Sequence, residues 1–253
     1  MSIPVSARSV LIVGAGPGVG ASVAQKFASL GHPVAIASRS NPQSLADSIN
    51  SSLPSPLVKA FSVDATSPSS VSQFVADASK AWPDAKPHVG VWNPTVGFGF
   101  KPFLKWTEAE VREAFEGQVI GAFTFTQSLL QLFLDSPLPS SPLESRGVLL
   151  YTGATSSLRG SLNFSGFAAA KSGLRSLIQS VAREHGKDGV HVAHFVIDGV
   201  IDTQRVKGFL GEAEHPEDRL DPDHIAAEYT HVANQPRSTW THEVDVRPAR
   251  EKF

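Results

Sequence analysis

The stretch "VLIVGAGPGVGASVAQKFASLG" constrains the fold of this chain more than any other. A β-branched apolar run gives way to glycines, and a helix-forming segment follows at once. Gly14, Gly18 and Gly20 let the backbone turn tightly and bring its amides up to a phosphate at a helix N-terminus. The spacing is GxxxGxG, with Val19 where the GxGxxG form has its last glycine. A glycine turn between strand and helix at the head of an alternating chain points to dinucleotide binding. The same residues also suit a Gly-Pro turn packed for geometry alone.

The alternation continues to the end of the chain. "SVLIVGAG", "HPVAIAS", "LVKAFSV", "HVGVW", "GVLLYTG", "VHVAHFVI" and "TWTHEVDV" read as strands, most of them separated by helix-length segments. That pattern predicts a parallel sheet covered by helices on both faces. Thr107 and Glu110 predict a capping box at the start of "TEAEVREAF". "GQVIGAFTFTQSLLQLFL" then predicts a long helix buried against the sheet or another subunit. The irregular loop "DSPLPSSPLESRG" joins a helix end to a strand start, away from the strand C-termini where ligands bind, and is given no catalytic role.

At 253 residues and with no composition break, one domain spanning 1–253 is expected. A net charge of −2, with no long basic block, points away from nucleic acid and membrane surfaces and toward a small-molecule substrate. The chain has no cysteine, hence no disulfide and no thiolate metal site, and no metal site is expected. "MSIPVSARS" lacks a signal-peptide core and no run reaches membrane-span length, so a cytoplasmic protein is expected.

Two further positions bear on the cofactor. The second strand ends in Ser38, Arg39 and Ser40 where an acid would hold the ribose hydroxyls of NAD. A guanidinium there suits a 2′-phosphate, so NADP(H) is expected over NAD(H), the alternative being a solvated surface arginine. Asp64 of "SVDA" stands at a strand end, placed either to accept from an adenine amino group or to cap the helix near Pro68.

The glycine spacing, "SVDA", "VWNPT", the lysine of "FAAAK" and "VIDGVIDT" occur in the order and spacing of the short-chain dehydrogenase/reductase family, which this chain resembles over nearly its whole length. The resemblance implies a Rossmann-type, doubly wound, mainly parallel seven-stranded sheet. It implies cofactor contacts from Gly14, Gly18, Val19, Gly20, Ser38, Arg39, Ser40, Asp64, Ala65, Asn93, Lys171, Val200 and Thr203. It also implies a substrate lid at about 204–220 and, by analogy, a homodimer or homotetramer.

The family's Asn-Ser-Tyr-Lys tetrad survives only in Lys171, which the resemblance assigns to the nicotinamide ribose. Phe167 takes the place of the tyrosine, Ala154 that of the serine and Gln118 that of the asparagine. Loss of a positioned general acid typically removes 10²–10⁴ in rate. Asp198, which replaces a proline after the sixth strand, is the preferred substitute acid, although it equally suits hydrogen bonding to loop amides. Thr155 and Ser156 adjoin the vacant serine position. His191 and His194 lie three apart on a strand and face opposite ways. An NADP(H)-dependent oxidoreductase acting on an activated C=C, an iminium or a carbonyl is expected. The alternatives are a non-redox cyclase-like enzyme and a regulatory protein that keeps the cofactor fold.

Overall fold

A computed structural model describes residues 8–251. The seven expected strands form one parallel sheet in the order β3-β2-β1-β4-β5-β6-β7. They are β1 (Arg8–Val13), β2 (Val34–Ser38), β3 (Val58–Ser62), β4 (Lys86–Trp92), β5 (Gly147–Thr152), β6 (Val190–Ile197) and β7 (Glu243–Val246). The last strand is shorter than "TWTHEVDV" suggests. Trp240 instead stacks on His191 with ring centroids 4.7 Å apart, and the His191 Nε2 contacts the Thr241 carbonyl at 2.9 Å, so this stretch leaves the ladder.

Alternating strand residues feed two cores. Val10, Ile12, Ile36, Val91 and Leu150 face α1 (Val19–Ser29), α2 (Gln43–Ser51) and α8 (Pro222–Ala233). Leu11, Val13, Ala35, Leu149 and Tyr151 face α3 (Pro68–Lys80), α5 (Gly121–Leu134) and α6 (Ser165–His185). The strands thus carry apolar side chains on both faces, as a sheet covered twice requires.

Helix starts follow local chemistry. Ser67 caps α3 by accepting from the Ser70 amide, with Pro68 at the first turn. Thr107 and Glu110 form the expected capping box of α4 (Glu108–Phe115). The long apolar helix is not continuous with α4 as a plain α-helix, because a π-turn over Glu116–Ile120 joins α4 to α5. α7 (Gln204–Leu210) is short, capped by the Thr203 hydroxyl, and leaves Phe209 and Leu210 exposed. Chain order reverses between β1 and β4, which opens a crevice at their C-terminal ends.

Candidate active site

That crevice is a cleft of about 510 Å³, running from the glycine turn to Lys171. At the first end, Gly14 has φ +90°, and a Cβ built on it would lie 2.5 Å from the Asn93 carbonyl carbon. Only glycine lets β1 and β4 end this close together. Gly18 sits at the N-cap of α1 with no side-chain cap, so the Val19 and Gly20 amides of this 11-residue helix are left for a ligand, while that of Ala21 donates to the Gly16 carbonyl at 3.2 Å. Ser38, Arg39, Asp64 and Ala65 continue the wall, and Thr203 closes it near Gly18. Asp64 caps no helix. Its Oδ1 accepts from the amide and hydroxyl of Thr66 at 2.9 and 2.8 Å, which lowers its pKa.

A hydrogen-bonded chain holds the middle of the cleft. Tyr229 of α8 is fully buried, stacks on Phe195 at 3.8 Å, and places its Oη 2.7 Å from the Thr152 hydroxyl. Thr152 donates to Asn93 Oδ1 at 2.7 Å, and Asn93 Nδ2 donates to the Gly14 carbonyl at 2.8 Å. Thr152 also turns its carbonyl to Lys171, whose Nζ donates to it at 2.8 Å. Asn93 was legible in the sequence; Thr152 and Tyr229 were not.

At the far end, Phe167, Lys171, Leu174 and Ile178 form the buried stripe of α6, spaced for one helix face. Phe167 and Lys171 are 4% and 3% exposed, with Nζ 5.7 Å from the ring centroid. Burial pushes the lysine's pKa down to about 7. Phe98 meets Phe167 edge-on at 5.3 Å, and Phe164 lies 5.9 Å from Phe98 and 5.1 Å from Phe100, so an aromatic ladder climbs from the cleft to the surface.

The structure separates the remaining expected residues from the cleft. Asp198 is buried but does not line it: Thr155 donates its hydroxyl to Asp198 Oδ1, and Arg247 Nη1 holds Oδ2 at 2.8 Å. A carboxylate engaged on both oxygens is placed to tie a loop and not to protonate a ligand. Thr155 is thereby occupied, and Ser156 also lies outside the lining, leaving Gly153 and Ala154 as the cleft residues of "GATSS". Gln118 is fully buried in the π-turn, and its Nε2 donates to the carbonyls of Pro94 and Val96 at 3.1 and 3.0 Å. It shapes the wall from behind. Ser40 and Val200 fall outside the lining too: the Ser40 carbonyl accepts from Ser38, and that of Val200 from the Leu220 amide.

A second network packs beneath Gly153. Arg175 grips both oxygens of Glu243 at 2.6 and 2.8 Å, and Glu243 Oε2 meets His194 Nδ1 at 2.9 Å. Burial pushes the His194 pKa down to about 4, so its ring is neutral near pH 7. His194 Nε2 has no hydrogen-bond partner among the described residues and lies 2.0 Å from where a Gly153 Cβ would be. Among the described residues no three His, Cys, Asp or Glu side chains gather as a metal-holding group, and no helix is long and apolar enough to cross a membrane.

The short chain dehydrogenase family model matches residues 8–212. The chain belongs to the short-chain dehydrogenase family. This family member is 29% identical over 204 residues to the 3-oxoacyl-(acyl-carrier-protein) reductase MabA of Mycobacterium avium, a match covering 79% of this chain and 69% of that protein. A short-chain dehydrogenase from Rhodopseudomonas palustris superposes with TM-score 0.77 at 30% identity, covering 95% of this chain and 98% of the other. A metagenomic short-chain oxidoreductase solved in complex with NADP shares the fold at TM-score 0.78 and 19% identity, over 98% and 99% of the two chains.

Proposed function

We propose that this short-chain dehydrogenase family member is an NADP(H)-dependent oxidoreductase that reduces a small apolar substrate without the family's tyrosine. The observation that carries this reading is the continuous cleft joining an uncapped helix N-terminus and Arg39 at one end to a buried lysine at the other. The glycine turn and α1 amides would hold the pyrophosphate, Arg39 the 2′-phosphate, Asp64 and Ala65 the adenine side, and Lys171 with Asn93 the nicotinamide side. NADPH supplies a hydride when bound there. The wall made by Val96, Phe98 and Phe167 orients an apolar substrate and excludes water, and the 204–220 segment closes over it through Phe209 and Leu210. The reducible group is an activated C=C, an iminium or a carbonyl, and the chain works as a homo-oligomer.

Fluorescence titration should show tighter binding of NADPH than NADH, with Arg39→Ala removing the preference by about 1–3 kcal/mol. NADPH consumption against ketones, enones and imines should then be compared with that of Ala154→Ser/Phe167→Tyr, which restores two hydroxyls beside Lys171. The double variant should gain ketone reduction by about 10²–10⁴. If the unmutated protein and the double variant are both silent, a non-redox or regulatory role replaces this reading. Equal affinity for NADPH and NADH would refute the cofactor assignment.

A further inference from the structure

A reduction that ends in O–H or N–H needs a proton, and the structure narrows its source. The titratable side chains lining the cleft are Arg39, Asp64 and Lys171, of which the first two belong to the glycine-turn end. Both tyrosines of the chain are fully buried outside the lining, Tyr151 against the Thr126 hydroxyl and Tyr229 against that of Thr152. The Thr152 hydroxyl is committed to Asn93. Asp198 is held by Thr155 and Arg247, and the neutral ring of His194 is pinned by Glu243 beneath Gly153.

Resting on the reading of this cleft as a nicotinamide site, we propose that Lys171 is itself the proton donor, in the place usually given to a phenol. In reduction of a C=O group, hydride adds to carbon, the π pair moves to oxygen, one Lys171 N–H bond breaks and an O–H bond forms. The neutral amine left behind regains its proton from solvent. An ammonium carries three N–H groups, and the bond to the Thr152 carbonyl uses one of them. The site tolerates the neutral amine: Phe167 presents an apolar ring, and burial already brings the lysine's pKa down to about 7, where both forms are populated near neutrality. The titratable group it interacts with is the neutral ring of His194 on β6; Arg175 stands one turn further along its own helix, paired with Glu243 on β7, and Asp198 is paired with Arg247 past the end of β6. Arg175 and Glu243 neutralise each other, as do Arg247 and Asp198.

The test uses Lys171→Arg, which keeps the positive charge but does not release a proton. Two probes are compared in single turnover with NADPH: 9,10-phenanthrenequinone, which needs a proton after hydride addition, and N-methyl-3,4-dihydroisoquinolinium, a cation that hydride alone converts to a neutral amine. The quinone rate should fall by about 10²–10⁴ and the iminium rate by less than about tenfold. Equal loss on both probes, or none on either, overturns the proposal while leaving the cofactor reading intact. A protein that binds NADPH yet reduces neither probe overturns the hydride reading and this proposal with it.

A second measurement needs neither turnover nor a folded variant. Cyanate modification of the unmutated, cofactor-free protein, followed by peptide mass spectrometry across pH, should give Lys171 a midpoint near pH 7. Nα-acetyl-lysine molecules added to the same reaction should hold near the ordinary value of about 10.4. A Lys171 midpoint beside theirs overturns the proposal.

Discussion

Replacing Lys171 with methionine should stabilise the cofactor-free protein, and the gain should depend on pH. The lysine is 3% exposed and its ammonium has one neutral carbonyl for a partner, so folding must desolvate a charge. Its pKa falls from 10.5 to about 7. At 1.36 kcal/mol per pH unit the penalty has an upper bound of about 5 kcal/mol, and local relaxation makes roughly 2–4 kcal/mol a working figure. Below pH 7 both folded and unfolded chains carry the proton, and the full penalty applies. Between about 7 and 10.5 the folded chain has shed a proton that the unfolded chain still holds, so stability from this group rises with pH. Methionine matches the stem and removes the charge. Lys171→Met should therefore be more stable by roughly 2–4 kcal/mol at pH 6, lose that advantage progressively, and end slightly less stable near pH 10.5 through loss of the bond to Thr152. Urea denaturation of both proteins across this range reads the difference, in which the other titrating groups cancel. A difference that stays flat with pH would show that the ammonium is not desolvated as described.

Two further substitutions probe the surroundings. Gly153→Ala puts a methyl 2.0 Å from an immobilised His194 Nε2 and should lower stability by about 1–3 kcal/mol, read as a shift in thermal midpoint. In Gly153→Ala/His194→Ala the two effects should be clearly non-additive, and simple additivity would mean that the contact does not set the turn. Asp198→Asn should cost about 1–3 kcal/mol, because Arg247 keeps Asp245 as a partner, and should leave turnover within a few-fold. A hundred-fold rate loss at unchanged stability would make Asp198 the acid after all.

The sheet and the glycine turn were legible because each rests on local signals: runs of Val and Ile, glycines between strand and helix, and the Thr107–Glu110 box. The π-turn was not, since "EGQVI" carries no residue that an α-helix refuses. Asp198 looked free in sequence because its partner, Arg247, stands far along the chain and meets it only when β7 docks beside β6. Tyr229 was hidden for the same reason, 77 residues from the threonine it orients. Phe98 sits in a loop whose path is set by Gln118 holding the carbonyls of Pro94 and Val96, a tertiary tie with no spacing rule.

The chain of bonds from Tyr229 through Thr152 and Asn93 to Gly14 crosses from a helix on one face of the sheet, over the strand ends, to the turn that opens α1. The family model stops at residue 212, before Tyr229, Glu243 and Arg247. A protein shortened to the matched segment would keep every glycine of the turn and Lys171 itself, yet lose the phenol that braces Thr152, the acid that pins His194 and the cation that holds Asp198. Sequence drift in this tail is therefore felt as a change in the width of the cleft, and a damaging substitution at position 229 would first surface as weakened cofactor affinity.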